Sequence, residues 1–513
     1  MALFKDMERR CADALVSLGY CNPFLPERIT YEREILGKAF VGAEDVWYKD
    51  VRDEESRPNL ELLTRRAKEL ADLGRTRLIS GQASGDEETA LYADIVLYYF
   101  FNNYSESFIQ YANDAEQGNT SQTAIASIFD RFRKDTAAYL NIPGISFSQE
   151  EAGHIFACFF QLRRAWQNIF ENIIGGSAAS VRLRAAVWQS IFTSDMRRYR
   201  RALYQRMGDI TTLVAGPSGT GKELVARAIG LSRYIPFDPK KKQFTIDFSQ
   251  CFFPINLSAL SPTIIESELF GHKKGSFTGA VADRIGFLEL CPREGAVFLD
   301  EIGEIEPAIQ VKLLRVLESR IFQPIGEFRN HQFTGKVIAA TNRNLEKEME
   351  AGRFRQDLYY RLCSDIITTP SLREQIEGAS GQLQHNLVLF LARRVAGTEE
   401  AESLAQEVEE WIQQNIPSDY TWPGNVRELE QCVRNIMIRK AYQPYVAAAT
   451  NTRDKFIENV RGFRLTAEEL LRYYTTLIYA ETGSYQETAR RLQLDRRTVK
   501  ERIDDCILAS LQE

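Results

Sequence analysis

The stretch TTLVAGPSGTGKELVARAIG, residues 211–230, decides the fold. A β-branched and apolar run from Thr211 to Val214 leads into a glycine-bracketed turn, and an amphipathic segment begins at Lys222. Strand, glycine-rich loop and helix in that order are the setting in which backbone N–H groups and a helix N-terminus converge on phosphate oxygens. Gly216, Gly219 and Gly221 let the backbone come close to an anion, with Ser218 and Thr220 between them, and Lys222 stands where an ammonium reaches the outer phosphates. Glu223 occupies the place where a Ser or Thr hydroxyl normally touches Mg²⁺. By itself that departure weakens the reading of a nucleotide site.

A second segment restores it. Val297-Phe298-Leu299 is an apolar run ending in the carboxylates Asp300 and Glu301. Downstream of a phosphate loop, such a pair suits Asp300 to the Mg²⁺ shell and Glu301 to polarising an attacking water. An acidic pair at a strand end often marks only a turn, and the phosphate loop is what favours the functional reading.

Short apolar runs (TTLVAG, GAVFLDE, GKVIAAT) alternate with amphipathic segments from about Thr211, which predicts a parallel sheet with crossover helices. Residues 1 to about 174 instead repeat apolar positions at three and four, as in NLELLTRRAKELADLG and AGHIFACFFQLRRAWQNIFENIIGG, and read as helices. Gly74 and Gly175-Gly176 stand where helix C-caps are expected. Aromatic clusters here (Tyr98 to Phe101; Phe156, Phe159, Phe160, Trp166, Phe170) read first as core packing, with a ligand pocket as the alternative. The chain turns helical again after Pro370, and a last helical segment starts near Thr466. The expected organisation is multidomain: an all-α N-terminal domain over 1–180, an α/β P-loop core over 185–370, a helical lid over 371–445 and a three-helix tail over 464–513.

The 513 residues suit about three domains. Hydrophobic residues at 44% and charged residues at 26% exclude wholesale disorder, a collagen repeat and a long coiled coil. With 64 basic against 70 acidic residues the net charge is −6, which excludes coating nucleic acid through overall charge but leaves room for a local basic patch. The eight cysteines form no C-x-x-C pair and have no nearby histidine at zinc-finger spacing, as expected of reduced thiols. Charges at Lys5, Asp6 and Glu8 break any signal-peptide core, and the run Ile95–Phe101 is too short for a bilayer. A cytoplasmic protein without membrane contact is expected.

At residues 268–280 the chain reads ELFGHKKGSFTGA, and there it resembles the AAA+ domain of the sigma-54-dependent transcription activators, the bacterial enhancer-binding proteins, whose hallmark is GAFTGA. The resemblance extends through FLDEIGEIEPAIQVKLLRVLE, VIAATNRNL, GRFRQDLYYRL and WPGNVRELEQ and covers roughly residues 185–440. It implies an AAA+ ATPase that uses ATP and Mg²⁺, assembles as a homo-oligomer, a hexameric ring, and acts on sigma-54 RNA polymerase. By the same resemblance Asn256 is the switch that holds the catalytic glutamate. Thr341-Asn342 is sensor I, feeling the γ-phosphate, and Arg427 is sensor II. Arg355 and Arg361 are arginine fingers given to the neighbouring subunit's ATP. The segment Gly275, Ser276, Phe277, Thr278, Gly279 and Ala280 is the sigma-contact loop, with an exposed Phe277 and Thr278, and about Ile321 to Gly335 is its companion. Ser276 replaces the family's usual Ala, Lys273 stands where an acidic residue is common, and the connection LSRYIPFDPKKKQFTIDFSQCFFPINLSAL is longer than usual. The N-terminal position implies a regulatory module, although no receiver-domain pattern is present.

In the tail, Thr466 and Glu469 have capping-box spacing. SYQETARRLQLDRRTVKERID then reads as two short helices and resembles the helix-turn-helix of Fis-type activators, which implies binding to double-stranded DNA at an upstream enhancer. Arg496, Arg497, Thr498 and Lys500 open the second of these helices and are the expected groove or phosphate contacts. The alternative is a DNA-binding regulator or signalling AAA+ ATPase that does not act on sigma-54. A metabolic P-loop kinase leaves the fingers, sensors and tail without a purpose.

Overall fold

A computed structural model describes residues 3–42, 58–82, 85–119, 121–377, 381–417, 420–444 and 465–504, with isolated positions beyond these. The chain forms two compact units, Met1–Ala441 and Tyr442–Glu513.

Among the described residues of the first unit, eight α-helices come first: α1 Asp6–Tyr20, α2 Glu27–Leu36, α3 Pro58–Ile79, α4 Asp86–Glu116, α5 Gln122–Leu140, α6 Gln149–Asn172, α7 Ala178–Phe192 and α8 Met196–Arg201. Their starts follow from local chemistry. Ser148 and Glu151 form a reciprocal capping box at α6, and Asp86, Glu87 and Glu88 place negative charge on the first turn of α4. Gly74 is not a C-cap as expected; it lies inside α3, where a Cβ would meet the Tyr92 ring at 2.6 Å. The glycine is there to let α3 and α4 approach. Gly175, by contrast, has φ +102 just past α6.

The α/β core contains β1 Thr212–Ala215, α9 Lys222–Gly230, β2 Phe237–Asp238, β3 Gln243–Phe244, β4 Phe252–Asn256, α10 Pro262–Phe270, α11 Phe287–Leu290, β5 Ala296–Asp300, α12 Pro307–Ser319, β6 Ile321–Phe322, β7 His331–Gln332, β8 Lys336–Thr341, α13 Leu345–Glu350, α14 Gln356–Leu362 and β9 Asp365–Thr368. Five strands form a wholly parallel sheet in the order β4-β5-β8-β1-β9. Helices cover both faces, so β5 and β8 read as continuous apolar runs rather than as alternation. The helices α15 Leu372–Ile376, α16 Gly381–Ala396, α17 Ala401–Asn415 and α18 Asn425–Arg439 follow. This is an AAA+ type of ATPase fold with a helical N-terminal region.

That region is not set apart from the sheet. α7 runs across the boundary expected between 180 and 185, and α6 serves two cores. One side of α6 packs Phe156 and Phe160 among Phe100, Phe129 and Phe132. The other packs Ala165 and Ile169 against Val225 and Ile229 of α9 and Phe298 of β5. The long connection after α9 explains itself here. Its hairpin β2–β3 inserts Phe237 and Phe244 into the N-terminal core, with ring centroids 4.6 Å from Phe129 and 4.5 Å from Phe160.

The second unit contains the helices Ala467–Thr482, Tyr485–Leu492 and Arg496–Arg502, the first opened by the Thr466/Glu469 capping box. Gln493, at φ +54, turns the chain between the last two. Among the described residues no helix is long and apolar enough to cross a membrane.

Candidate nucleotide site and remodelling loop

The phosphate loop leaves β1 and enters α9 through Gly221 in the left-handed region. Gly216 and Gly219 also have positive φ, and a Cβ on Gly219 would collide with the Gly424 carbonyl oxygen. The expected glycines are therefore needed for conformation and for clearance. Ser218 and Thr220 lie between them, and the Thr220 hydroxyl bonds to the Pro217 carbonyl (2.9 Å) and to Thr369 Oγ1 (2.6 Å). Lys222 is buried, and its Nζ donates to the carbonyls of Gly216 (3.1 Å) and Pro217 (3.2 Å). Burial lowers its pKa, opposed by Glu301 and Asp300, and its Nζ is 4.0 Å from Glu301 Oε1.

The parallel register places Asn256 beside Asp300. Asn256 Nδ2 donates to Asp300 Oδ2 at 3.2 Å, so the amide touches the aspartate rather than the glutamate that the resemblance implied it holds. The physical reason is backbone geometry. Glu301 has φ +55, which turns it off the strand line, and its Oε2 accepts from the Asn342 N–H at 3.2 Å. Burial pushes the Asp300 carboxyl above its ordinary range, and exposed Glu223 adds like charge. A divalent cation beside Asp300 would favour its charged form. Among the described residues no three His, Cys, Asp or Glu side chains form an ion cage. Asp300 with phosphate oxygens suits Mg²⁺, which favours few protein carboxylates.

The start of α18 reaches this loop. Val426 N–H donates to the Gly219 carbonyl (3.1 Å), and Arg427 Nη1 is 3.5 Å from Ser218 Oγ. Asn425, which the sequence reading passed over, ties the parts together: its Nδ2 donates to the Ser218 carbonyl (2.9 Å) and its Oδ1 accepts from Leu372 N–H (2.9 Å). Its φ of +54 suits Asn better than most residues, and an Asn directly after Pro423-Gly424 was the available signal. Asn425→Ala is expected to weaken nucleotide binding by about tenfold, as loss of these two hydrogen bonds, one buried and one partly buried, costs about 1–3 kcal/mol; titration with a fluorescent ATP analogue checks it.

Arg355 and Arg361 point elsewhere. Arg355 pairs with Asp357 (2.6 Å) and Arg361 approaches Glu318 (3.6 Å), both on the exposed surface. They do not join the Lys222, Asp300 and Glu301 cluster of their own chain through any of these contacts.

The segment Gly275–Ala280 closes on itself by Gly275 N–H to the Ala280 carbonyl (2.8 Å) and Ala280 N–H to the Phe277 carbonyl (3.0 Å). Its base is stitched to the neighbouring hairpin by Lys273 N–H to the Ile325 carbonyl (2.9 Å) and by Lys273 ion pairs with Asp283 and Glu327. Ser276 packs on Gly326. Thr278 and Gly279 are exposed, but Phe277 is only half exposed, because its ring rests 4.9 Å from His272. Phe328 of the hairpin is 97% exposed.

Residues 190–368 match the family model described as the Sigma-54 interaction domain. This stretch of the chain is similar to a sigma-54 interaction domain. Relatives agree with it. The chain is 40% identical over 275 residues to a Nif-specific regulatory protein of Herbaspirillum seropedicae, covering 53% of this chain and 44% of that one. It is 43% identical over 232 residues to the hydrogenase transcriptional regulatory protein HoxA of Bradyrhizobium diazoefficiens, covering 45% and 43%. The transcriptional regulatory protein ZraR of Salmonella typhimurium is 35% identical over 299 residues, with 57% and 62% covered. The chain thus spans less than half the length of the first two relatives. The phosphate loop, the acidic pair and the Gly275–Ala280 segment all fall inside the residues that match the Sigma-54 interaction domain.

Proposed function

We propose that the protein is an ATP-dependent transcription activator. It binds upstream double-stranded DNA through Arg496, Arg497, Thr498 and Lys500, assembles into a hexameric ring, and spends ATP on remodelling sigma-54 RNA polymerase for promoter opening. Lys222 and the loop amides hold the phosphates, Asp300 holds Mg²⁺, and Glu301 aligns the attacking water. Asn342 and Arg427 sense the nucleotide, and Arg355 and Arg361 complete a neighbour's site.

The observation that carries the reading is a short path from the site to the loop. Asn256 bonds Asp300 with its Nδ2, while its Oδ1 accepts from Ser258 N–H (3.0 Å) and Ala259 N–H (3.2 Å). Those residues lead directly into α10, and α10 leads into Gly271 and the Gly275–Ala280 segment. A nucleotide that re-sets Asp300 therefore pulls on the base of the loop. Basic Arg496, Arg497 and Lys500 on one short helix, with Asp495 capping its N-terminus, support the DNA contact.

Phe277→Ala tests the coupling. ATP turnover is expected to stay within about twofold, since the residue lies outside the nucleotide site, while promoter opening by sigma-54 polymerase falls by at least about tenfold, as removal of a central aromatic anchor predicts. Turnover and opening are measured on the same preparation, and opening that survives the substitution contradicts the mechanism.

A further inference from the structure

Gln310 of α12 is 1% exposed and takes no part in the chemistry assigned above. Its side-chain amide is nevertheless fully committed. Nε2 donates to the Ile305 carbonyl (3.0 Å) and to the Arg353 carbonyl (2.9 Å), and Oε1 accepts from the Arg355 N–H (2.9 Å). Both amide hydrogens and the amide oxygen are in use, so removing the group leaves backbone partners behind it unpaired. Two of the three bonds flank Phe354 and hold the chain immediately before α14. The rest of that segment is bonded to α13 instead: the Arg353 N–H (2.9 Å) and the Phe354 N–H (3.2 Å) donate to the Glu348 carbonyl, and the Arg353 guanidinium clasps the Glu348 carboxylate (2.6 and 3.0 Å). Arg355 is where these restraints stop. It stands at the N-cap position of α14 with no side-chain cap, its guanidinium pairs with exposed Asp357, and its N–H bond to Gln310 ties its backbone to α12.

We infer that Gln310 is the positioning residue for Arg355: its amide sets the place and direction from which that arginine leaves the surface, so that the guanidinium meets a neighbouring subunit's nucleotide. The inference rests on the reading of Arg355 as a finger given in trans. Placement matters because a displacement of about 1 Å in a group that serves the transition state costs about 10²-fold in rate. The turn that carries Glu301 depends on Gln310 less. The amide reaches it through the Ile305 carbonyl alone, whereas Glu301 is held by the Asn342 N–H (3.2 Å) and Glu304 by Arg343 (Nε to Oε1, 2.7 Å). Loss of Gln310 is therefore felt in the neighbour's site rather than in its own.

The test uses the full chain carrying Gln310→Leu, which keeps the bulk of the side chain and removes the amide. Steady-state phosphate release is expected to fall by about 10²-fold, while affinity for a fluorescent ATP analogue and the cooperative thermal transition stay as in the unsubstituted protein. The substituted subunits are then mixed with Lys222→Ala subunits, which lack the phosphate ammonium but keep Gln310 and Arg355. Turnover is expected to return, because a site with an intact Lys222 now receives a well-placed finger. Lys222→Ala mixed with Arg355→Ala is the control for the finger itself. Recovery in the control without recovery for Gln310→Leu puts the defect in the residue's own site and overturns the inference, as does Gln310→Leu turnover equal to that of the unsubstituted protein. If Gln310→Leu fails the thermal or binding check, Gln310→Asn, whose amide falls a methylene short of Arg355, carries the same mixing test with the same outcomes. Failure of the control mixture removes the finger reading, and absence of hydrolysis by the unsubstituted protein removes the ATPase reading, each taking the inference with it.

Discussion

Alanine in place of Arg355 is expected to lower ATP turnover by about 10³–10⁵-fold, the worth of an arginine finger in phosphoryl transfer, if Arg355 acts as one. The reason lies in where the side chain is. Arg355 stands at the N-cap position of α14 on the exposed surface, and its side chain pairs with Asp357 of its own chain, two residues on. A charge so placed neutralises nothing on its own nucleotide, but it is free to exchange Asp357 for a neighbour's γ-phosphate, since an exposed ion pair is worth little. Steady-state phosphate release measures the loss. Mixing then gives the sharper result. Lys222→Ala subunits lack the phosphate ammonium but keep the finger, while Arg355→Ala subunits have the reverse defect. Each alone is inactive, and a mixture regains a measurable fraction of turnover because some interfaces pair an intact Lys222 with an intact Arg355. If the mixture stays as inactive as its parents, the finger does not act in trans.

Glutamine at Glu301 is expected to lower turnover by about 10²–10⁴-fold, the range for losing a general base, with little change in nucleotide affinity. E301Q keeps the size of the side chain and an oxygen able to accept from Asn342 N–H, now at 3.2 Å, so the loop after β5 keeps its anchor. What it loses is the negative charge 4.0 Å from Lys222 Nζ and the basicity that aligns water. Single-turnover hydrolysis beside equilibrium binding separates the two effects. A fall below about tenfold would take Glu301 out of the chemical step, and a matching loss of affinity would make it a structural prop.

Local features were legible in the sequence because local chemistry determines them. The spacing of Gly216, Gly219 and Gly221 before Lys222 appears as three positive φ values and a helix start. The alternation of apolar runs and amphipathic segments appears as a five-stranded parallel sheet. The features that escaped depend on long-range register. Nothing local tells that Asn256 stands opposite Asp300 while Glu301 turns toward Asn342, or that Asn425 reaches Ser218 across 207 positions. Gly74 reads as a helix end until Tyr92 is seen against it. The long connection after the phosphate-loop helix reads as an insertion, and its purpose emerges when Phe237 and Phe244 lie in the N-terminal core. Of the aromatic clusters, Phe100, Phe156 and Phe160 are core, and Tyr98, Phe101 and Trp166 stand on the wall of a cavity of about 320 Å³.

Promoter opening itself is the most direct test of what the ATP is spent on. The full-length protein is combined with a promoter carrying its upstream site and with RNA polymerase holding either sigma-54 or a different sigma factor, and single-stranded thymines are mapped with permanganate. Melting is expected only with sigma-54 polymerase and hydrolysable ATP, and not with ADP. Hydrolysis without melting of the sigma-54 promoter, or melting that proceeds without hydrolysis, would contradict an ATP-driven remodelling of sigma-54 polymerase.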